Sequence, residues 1–507
     1  MPRRKKNGTL LLVQGLDVSN PAEYIGEQAS PNNGNFMLRS GLLGKRNGTT
    51  ALGTTQGEEI MRGTQFTRAS TTYNVRIGLD EIWHYTSGAW ADITGVDLTG
   101  TTDDIVDIAI PLLSGVRILC FTNGIDAIRK WTGTGDTAAL GGTPPKAKFI
   151  QEYKTYLVCA NITGGTDIDQ RVQWSNTADP ETWDSGNAGT LDLIEDAEAI
   201  TGLSLFGDYL AVHKKSSINL GYLIQTSDIF KFDRKNTGAG TIANSTIVNL
   251  PTGIQVFLAV DGIRAFNGIT SQLIDTKVND EIRGGINTSY SHKSWAVLVN
   301  EFDEVWFGVP IGSQTTPDTI YKYNYNTGVM YKDTRSLITA AWRSSASSAS
   351  KTWDATGGTW DSSTERWNAT STGAAFSRIH LANNEGLVTQ VDTSVNNDNG
   401  VAIDAFWESK DFEPEEKGRI ARWQRMEFWA KGNTVRVWYS TDSGYTWTEM
   451  VDSPFTLDSA FPEDSAPLIA YFDAVSSKLR VKFSNNVAGE TVDIKQFVLG
   501  YVDREMR

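Results

Sequence analysis

Apolar residues in this chain recur as short runs broken by turns, not as the 3.6-residue stripes of amphipathic helices. One unit repeats: an apolar strand, a turn rich in Gly, Asn and Asp, then a second apolar or aromatic strand. It reads YNVRIGLDEIWHY around residue 80 and RILCFTNGIDAIRKW around residue 123. Further copies are TYLVCANITGGTDIDQRVQWS, DYLAVHKKSSINLGYL, QVFLAVDGIRAFNG, WAVLVNEFDEVWFGV and SRIHLANNEGLVTQVD. The first six turn centres lie roughly 40 to 50 residues apart, the length of a four-stranded propeller blade. Additional strands fall between the hairpins, such as TIYKYNYNTGVMYKD with its Asn-Thr-Gly turn. The spacing predicts an all-β chain whose core, over 61–344, is a β-propeller of six or seven blades. Unrelated hairpins in one or more β-sandwiches are the competing reading, because no strict signature marks each unit.

The last interval is nearly double, and the excess is a distinct stretch at 345–375. There Trp353, Trp360 and Trp367 stand seven residues apart. Gly357, Gly358 and dense Ser and Thr argue against a helical seam. The stretch reads as a loop or small β-excursion whose indoles pack on one another or form a subunit interface. A last propeller hairpin follows at 376–399. From residue 400 the period-two alternation sharpens: in TVRVWYSTDSGYTWTEM, Val435, Val437 and Tyr439 alternate with Arg436 and Trp438. Residues 400–507 read as a C-terminal β-sandwich. Residues 1–60 show no strong period and read as an extended N-terminal arm.

Composition supports strands and turns: 47 Gly, 16 Trp, 16 Tyr and 20 Phe accompany abundant Thr, Ser, Asn and Asp. The net charge of −14 disfavours a sequence-independent nucleic-acid binder. The dense basic cluster Arg3, Arg4, Lys5, Lys6 reads as a solvated tail, or as an arm touching DNA or an acidic neighbour. Cys120 and Cys159 sit in apolar strands and are expected as buried free thiols, as in a protein made in a reducing cytoplasm. No stretch has the length of a secretory core or a membrane span. Without secretion the glycosylation triplets at Asn7, Asn161 and Asn244 carry no weight.

Catalytic chemistry is sparse, and no enzyme, metal or cofactor is expected. His84, His213, His292 and His380 are scattered, none beside a second ligand at metal spacing. GTGDTAALGG after Trp131 lacks the third glycine and following helix of a dinucleotide loop. Glu195, Asp196 and Glu198 lack the alternation of a calcium loop and read as a solvated turn facing a channel or solvent. Ser440, Asp442, Gly444 and Trp447 fit S-x-D-x-G-x-x-W, which resembles the Asp box of sialidase-type propellers. That motif ties a turn together: the Asp binds backbone amides, Gly takes the left-handed position and Trp packs beneath.

A run of phrases, in order, resembles the tail nozzle and tail-hub proteins of short-tailed bacteriophages. It begins with GLDVSNPAEYIGEQASPNNGNFMLRSGLLGKRNGT, with Leu16, Asn35, Leu42 and Lys45-Arg46-Asn47-Gly48 in the arm. It continues through EIWHYTSGAWADIT, FTNGIDAIRKWTG, GGTPPKAKFIQEYKTYLVCA, QWSNTADPETWDSG, DAEAITGLSLFGDYLAVHKKSSI and AVDGIRAFNG, covering about residues 10–345. The resemblance implies a virion structural protein, assembled in the host cytoplasm as a homo-oligomeric ring, six in number. Its implied neighbours are the portal-proximal adaptor and tail fibres or spikes, and DNA crosses its channel at ejection without specific binding. An acidic wall that repels phosphates would suit such a conduit. The alternatives are a peripheral glycan- or receptor-binding propeller of the tail-spike type, and a hub protein of a longer tail.

Overall fold

Strands buried on both faces can be apolar at successive positions, whereas strands covered on one face alternate. Both kinds occur here, and they separate the two halves of the molecule. The computed structural model describes residues 5–6, 10–11, 14–39, 41–165, 167–224, 229–235, 238–335, 337–345, 377–415, 419–459, 461 and 467–503. The chain is a seven-bladed β-propeller joined to a β-sandwich.

Six blades are four-stranded antiparallel sheets built from contiguous chain, innermost strand first. Blade 1 is Ile60–Arg68, Thr71–Gly78, Ile82–Thr86 and Ala89–Asp92. Blade 2 is Asp107–Ala109, Leu119–Thr122, Arg129–Trp131 and Ala138–Ala139. Blade 3 is Lys146–Tyr153, Tyr156–Thr163, Ile168–Trp174 and Gly189–Asp192. Blade 4 is Ile200–Phe206, Tyr209–Lys214, Ile218–Leu223 and Phe230–Lys235. Blade 5 is Val248–Asn249, Gln255–Ala259, Gly262–Phe266 and Ser271–Leu273. Blade 6 is Trp295–Val299, Glu304–Val309, Thr319–Asn324 and Met330–Thr334.

Blade 7 is composite. Ile338–Ser345, Ser377–Asn383 and Val388–Asp392 form its inner three strands, and Gly48–Ala51 from the arm pairs antiparallel with Val388–Asp392. The hairpin Asn397–Asp398 and Val401–Ala402 extends this sheet. Ring closure thus uses both ends of the propeller sequence.

A separate apolar cluster fills each interface between blades. Successive residues of one strand feed different clusters: Leu119 and Phe121 pack with blade 1, Cys120 with blade 3. Polar side chains stitch the same interfaces. Thr122 Oγ1 donates to Ala147 O at 2.7 Å, Asn161 Nδ2 to Ile200 O at 2.8 Å and Trp295 Nε1 to Ile338 O at 2.8 Å. Thr339 Oγ1 donates to Ile60 O at 2.6 Å and closes the ring from blade 7 to blade 1.

The sandwich packs two sheets over a core that includes Trp407, Trp423, Phe428, Phe483 and Phe497. One sheet runs Phe36–Arg39, Leu42–Lys45, Val492–Asp503, Ala421–Gly432 and Leu468–Ser476, with Lys5–Lys6 and Leu10–Leu11 also on Val492–Asp503. The other runs Asn33–Gly34, Ala405–Glu408, Arg480–Asn485, Thr434–Ser440 and Thr448–Glu449. The arm over 1–60 is therefore not a separate extended element. Its strands of two to four residues complete both sandwich sheets and the outer edge of blade 7; segments that short cannot display a period.

Buried charges hold the arm. Arg46 donates through Nη1 and Nη2 to Asp398 at 2.9 and 2.5 Å, and through Nε to Asn35 Oδ1 at 2.7 Å. Asp333, fully buried, pairs with Lys322 and lies 3.5 Å from Arg46 and 3.8 Å from Arg335. The surrounding cations lower the Asp333 pKa against its burial, and Asp398 is held at about 2. Asn35, at φ 59°, donates to Thr334 Oγ1 at 3.0 Å and Asp404 O at 2.7 Å. Leu16 is buried in the blade 5–6 cluster.

Candidate functional site

The axis of a propeller is lined by its innermost strands, so a charged residue there stands out in the sequence as a break in an apolar run. Arg62 in Ile60–Arg68 and Asp107 in Asp107–Ala109 are two such breaks, on neighbouring blades. Alternation alone could have flagged them, yet hairpin spacing gave them no weight. Arg62 lines two recesses. One, about 30 Å³, lies on the side of the connections between blades and is lined by Glu59, Asp104, Ser245, His292 and Lys293. That is room for a water or two. The other, about 220 Å³, lies on the side of the inner hairpin turns and is lined by Thr64, Ile110, Arg117, Gln151 and Glu152. Arg62 is the residue the two recesses share.

Arg62 is half-buried, and desolvation lowers its pKa, with Asp107 opposing. Asp107 is raised to about 6, chiefly by burial, despite Arg62 and the Ile150 N–H that donates to its Oδ2 at 2.9 Å. At the connection-side mouth Lys293 lies 3.7 Å from Glu59 and 3.8 Å from Asp103.

The inner-hairpin face also carries the root of the Trp-rich stretch. The last described pair of the blade 7 ladder is Ser345–Ser377. Gln65 grips this point: its Oε1 accepts Ser345 N–H at 2.8 Å, and its Nε2 donates to Ser345 O at 3.1 Å. Trp353, Trp360 and Trp367 themselves lie outside the described residues. On the same face a groove of about 820 Å³ is lined by Tyr153, Lys154, Phe206, Asp208, Tyr209 and Tyr222, among others. Lys154 pairs with Asp208 at 2.9 Å, and the Tyr209 and Tyr222 rings meet edge-on at 6.2 Å.

The S-x-D-x-G-x-x-W residues form one turn at the end of Thr434–Ser440. Ser440 Oγ donates to Asp442 Oδ1 at 2.6 Å and accepts Gly444 N–H at 2.9 Å. Asp442 also accepts Thr446 N–H at 2.9 Å and Thr446 Oγ1–H at 2.6 Å. These bonds hold its pKa at about 2. Gly444 has φ +91°, and Trp447 lies half-buried with Lys482 Nζ 5.4 Å above its ring.

Of the acidic trio, Glu195 is exposed as a solvated turn would have it, but Asp196 and Glu198 are engaged by the protein. Asp196 pairs with the buried Lys214, lies 3.2 Å from Arg234 and accepts Ser217 Oγ–H at 2.8 Å. Glu198 accepts Ser216 N–H and Oγ–H, each at 2.8 Å. These carboxylates hold the following hairpin, a tertiary role that a charge run does not reveal. The histidines stay apart. His213 and His380 are buried, bonding Gln255 Oε1 at 2.8 Å and Ser344 Oγ at 2.7 Å, and burial lowers both to about 4. His292 contacts Asp103 O at 3.0 Å, and His84 packs against Tyr73 and Trp131. Cys120 and Cys159 are buried free thiols, raised by desolvation. Among the described residues no group of three His, Cys, Asp or Glu could hold a metal, and no helix is long and apolar enough to cross a membrane.

No family model matches the chain, and no curated protein matches it. Among solved structures, BamB from Moraxella catarrhalis aligns over 76% of this chain and 99% of its own, at 11% identity and a TM-score of 0.37. An exo-β-1,3-galactanase from Phanerochaete chrysosporium covers 89% of this chain and 100% of its own, at 8% identity and a TM-score of 0.28. PorZ, a surface component of the type-IX secretion system of Porphyromonas gingivalis, covers 79% and 46%, at 9% identity and a TM-score of 0.32. Likeness at that level carries nothing about activity.

Proposed function

We propose that this chain is a structural, non-enzymatic subunit of a bacteriophage tail, of the nozzle type, that assembles as a ring of six around the DNA exit channel. The observation that carries the reading is the threading of the first 51 residues through both domains. Sandwich and propeller are tied by paired strands and buried charges, as suits a part that resists force. The ordered resemblance over about residues 10–345 supplies the tail context. In this reading DNA passes between subunits, along the axis of the ring. The acidic surface keeps phosphates from adhering to the wall. Adaptor and tail fibre or spike proteins are the expected neighbours.

The test is a cryo-electron-microscopy reconstruction of the tail that locates this chain and counts its copies. A closed axial ring with a duplex-wide channel is expected. Copies projecting from the periphery would replace this reading with a glycan- or receptor-binding one. The groove beside Tyr209 and Tyr222 favours that second reading, since exposed aromatic faces beside paired charges suit a sugar. Binding of the purified chain to a glycan panel, lost on Tyr209→Ala, would select it.

A further inference from the structure

The recess on the inner-hairpin face is lined by two arginines, of which Arg117 pairs with Glu152 and Arg62 faces Asp107 without a hydrogen bond. Arg62 forms its floor, and its guanidinium makes no hydrogen bond among the described residues. A guanidinium carries five donors, and those of the half-buried Arg62 are open to a ligand in the recess. The carboxylate facing it, Asp107, is already occupied by the Ile150 N–H at 2.9 Å and by the Asn244 side chain. Arg117 stands at the rim, donating to Ile110 O at 2.6 Å and lying 3.4 Å from Glu152, both through Nη1. Arg68 donates to Arg117 O at 2.8 Å and braces its backbone. Two arginines thus line the recess, and Arg68 braces the second of them. Thr64 and Gln151 add polar groups to the same wall.

We propose that this recess is an oxyanion site, in which a phosphate group binds between Arg62 at the floor and Arg117 at the rim. The planar fork of arginine matches phosphate oxygens in pairs, and a desolvated fork gains most from such a partner. The recess, about 220 Å³, admits a free phosphate or a terminal phosphate ester. An internal phosphodiester, flanked by sugars on both sides, does not reach the floor. The smaller recess beyond Arg62 is lined by Glu59 and Asp104, so the anion approaches from the inner-hairpin face.

The test titrates the full-length chain with inorganic phosphate, followed by calorimetry and by phosphorus NMR line width. Saturable binding is expected at one site per chain. Arg62→Met should weaken it at least tenfold, Arg117→Gln several-fold, and Asp107→Asn should tighten it by removing the competing carboxylate. Should Arg62→Met fail to fold, Arg62→Lys decides: it keeps the charge, loses the fork and is expected to bind several-fold more weakly. A short 5′-phosphorylated oligonucleotide should compete with phosphate, and its 5′-hydroxyl counterpart should not. Absence of saturable binding, unchanged affinity in both Arg62 variants, or equal competition by the two oligonucleotides would each overturn the site.

Discussion

Blades 1 to 6 and blade 7 have the same sheet but not the same origin. Each of the six is a single stretch of chain folded back on itself, with strands pairing in chain order and one small hairpin, Leu112–Leu113 with Val116–Arg117, set between the first two strands of blade 2. Blade 7 takes its fourth strand from the arm, where Thr49 faces Val391 across more than three hundred residues. The six draw on local ladders and shared apolar clusters. The seventh also needs an ordered arm, and ordering a long-range segment carries an entropy cost that local hairpins escape. The difference locates the weak seam of the ring at its closure, and it explains the buried charge there: Arg46, Asp398, Asp333 and Lys322 hold the segment that pairing of four residues alone would leave marginal.

Removing residues 1–51 strikes that seam hardest. It takes the outer strand of blade 7, strands of both sandwich sheets and Leu16 from the blade 5–6 cluster. The truncated chain should lose its cooperative melt and become protease-sensitive throughout. A truncated protein that melts like the full chain would erase the distinction between blade 7 and the rest. Arg46→Met should come next, costing about 3–5 kcal/mol because it leaves Asp398 and Asp333 short of a buried partner. Hydrogen exchange should speed in 33–51 and 388–398 and stay slow in blades 2 to 4; uniform loss across the blades would mean that closure is not a separate unit.

The buried histidines sharpen the comparison by pH. His213 lies between blades 4 and 5, His380 in blade 7, and both fold with a pKa near 4 against an ordinary 6.5. The unfolded chain binds more protons between those values. Stability is therefore full above pH 6.5 and falls as pH drops toward 4, by about 3 kcal/mol for each histidine. Melting temperature against pH should show this acid limb, reduced by His213→Gln or His380→Gln alone. Exchange measured at pH 5 should assign the His380 share to blade 7. If neither substitution changes the limb, carboxylate protonation governs the acid transition instead. The smallest effect belongs to the sandwich turn. Asp442→Ala should lower the melting temperature slightly and loosen 440–447 without disturbing the blades.

How legible these features were in the sequence follows their range. ILCFTNGIDAI announces a hairpin because both strands and the turn lie within a dozen residues, and the Asp442 turn is equally local. The blade count stayed at six or seven because the deciding strand, Gly48–Ala51, is four residues long with its partner far along the chain. Asp196 looked like part of a solvated turn because its burial depends on Lys214 and Arg234, which fold over it from the next hairpin and beyond. Arg62 and Asp107 are charges within inner strands that alternation could mark, but only the closed ring sets them facing each other. Local chemistry was written in local sequence; what depended on closure was not.

Synthesis runs in the opposite order to closure. Residues 48–51 leave the ribosome early, yet the strand they pair with follows more than three hundred residues later. At roughly 5–20 residues per second the arm waits on the order of tens of seconds without a partner. An unpaired strand in that interval is a template for aggregation. The break of Lys45, Arg46, Asn47 and Gly48 between two short apolar patches keeps the waiting segment polar and poorly suited to premature pairing. The same residues that later lock the ring thus first protect the chain while it is incomplete.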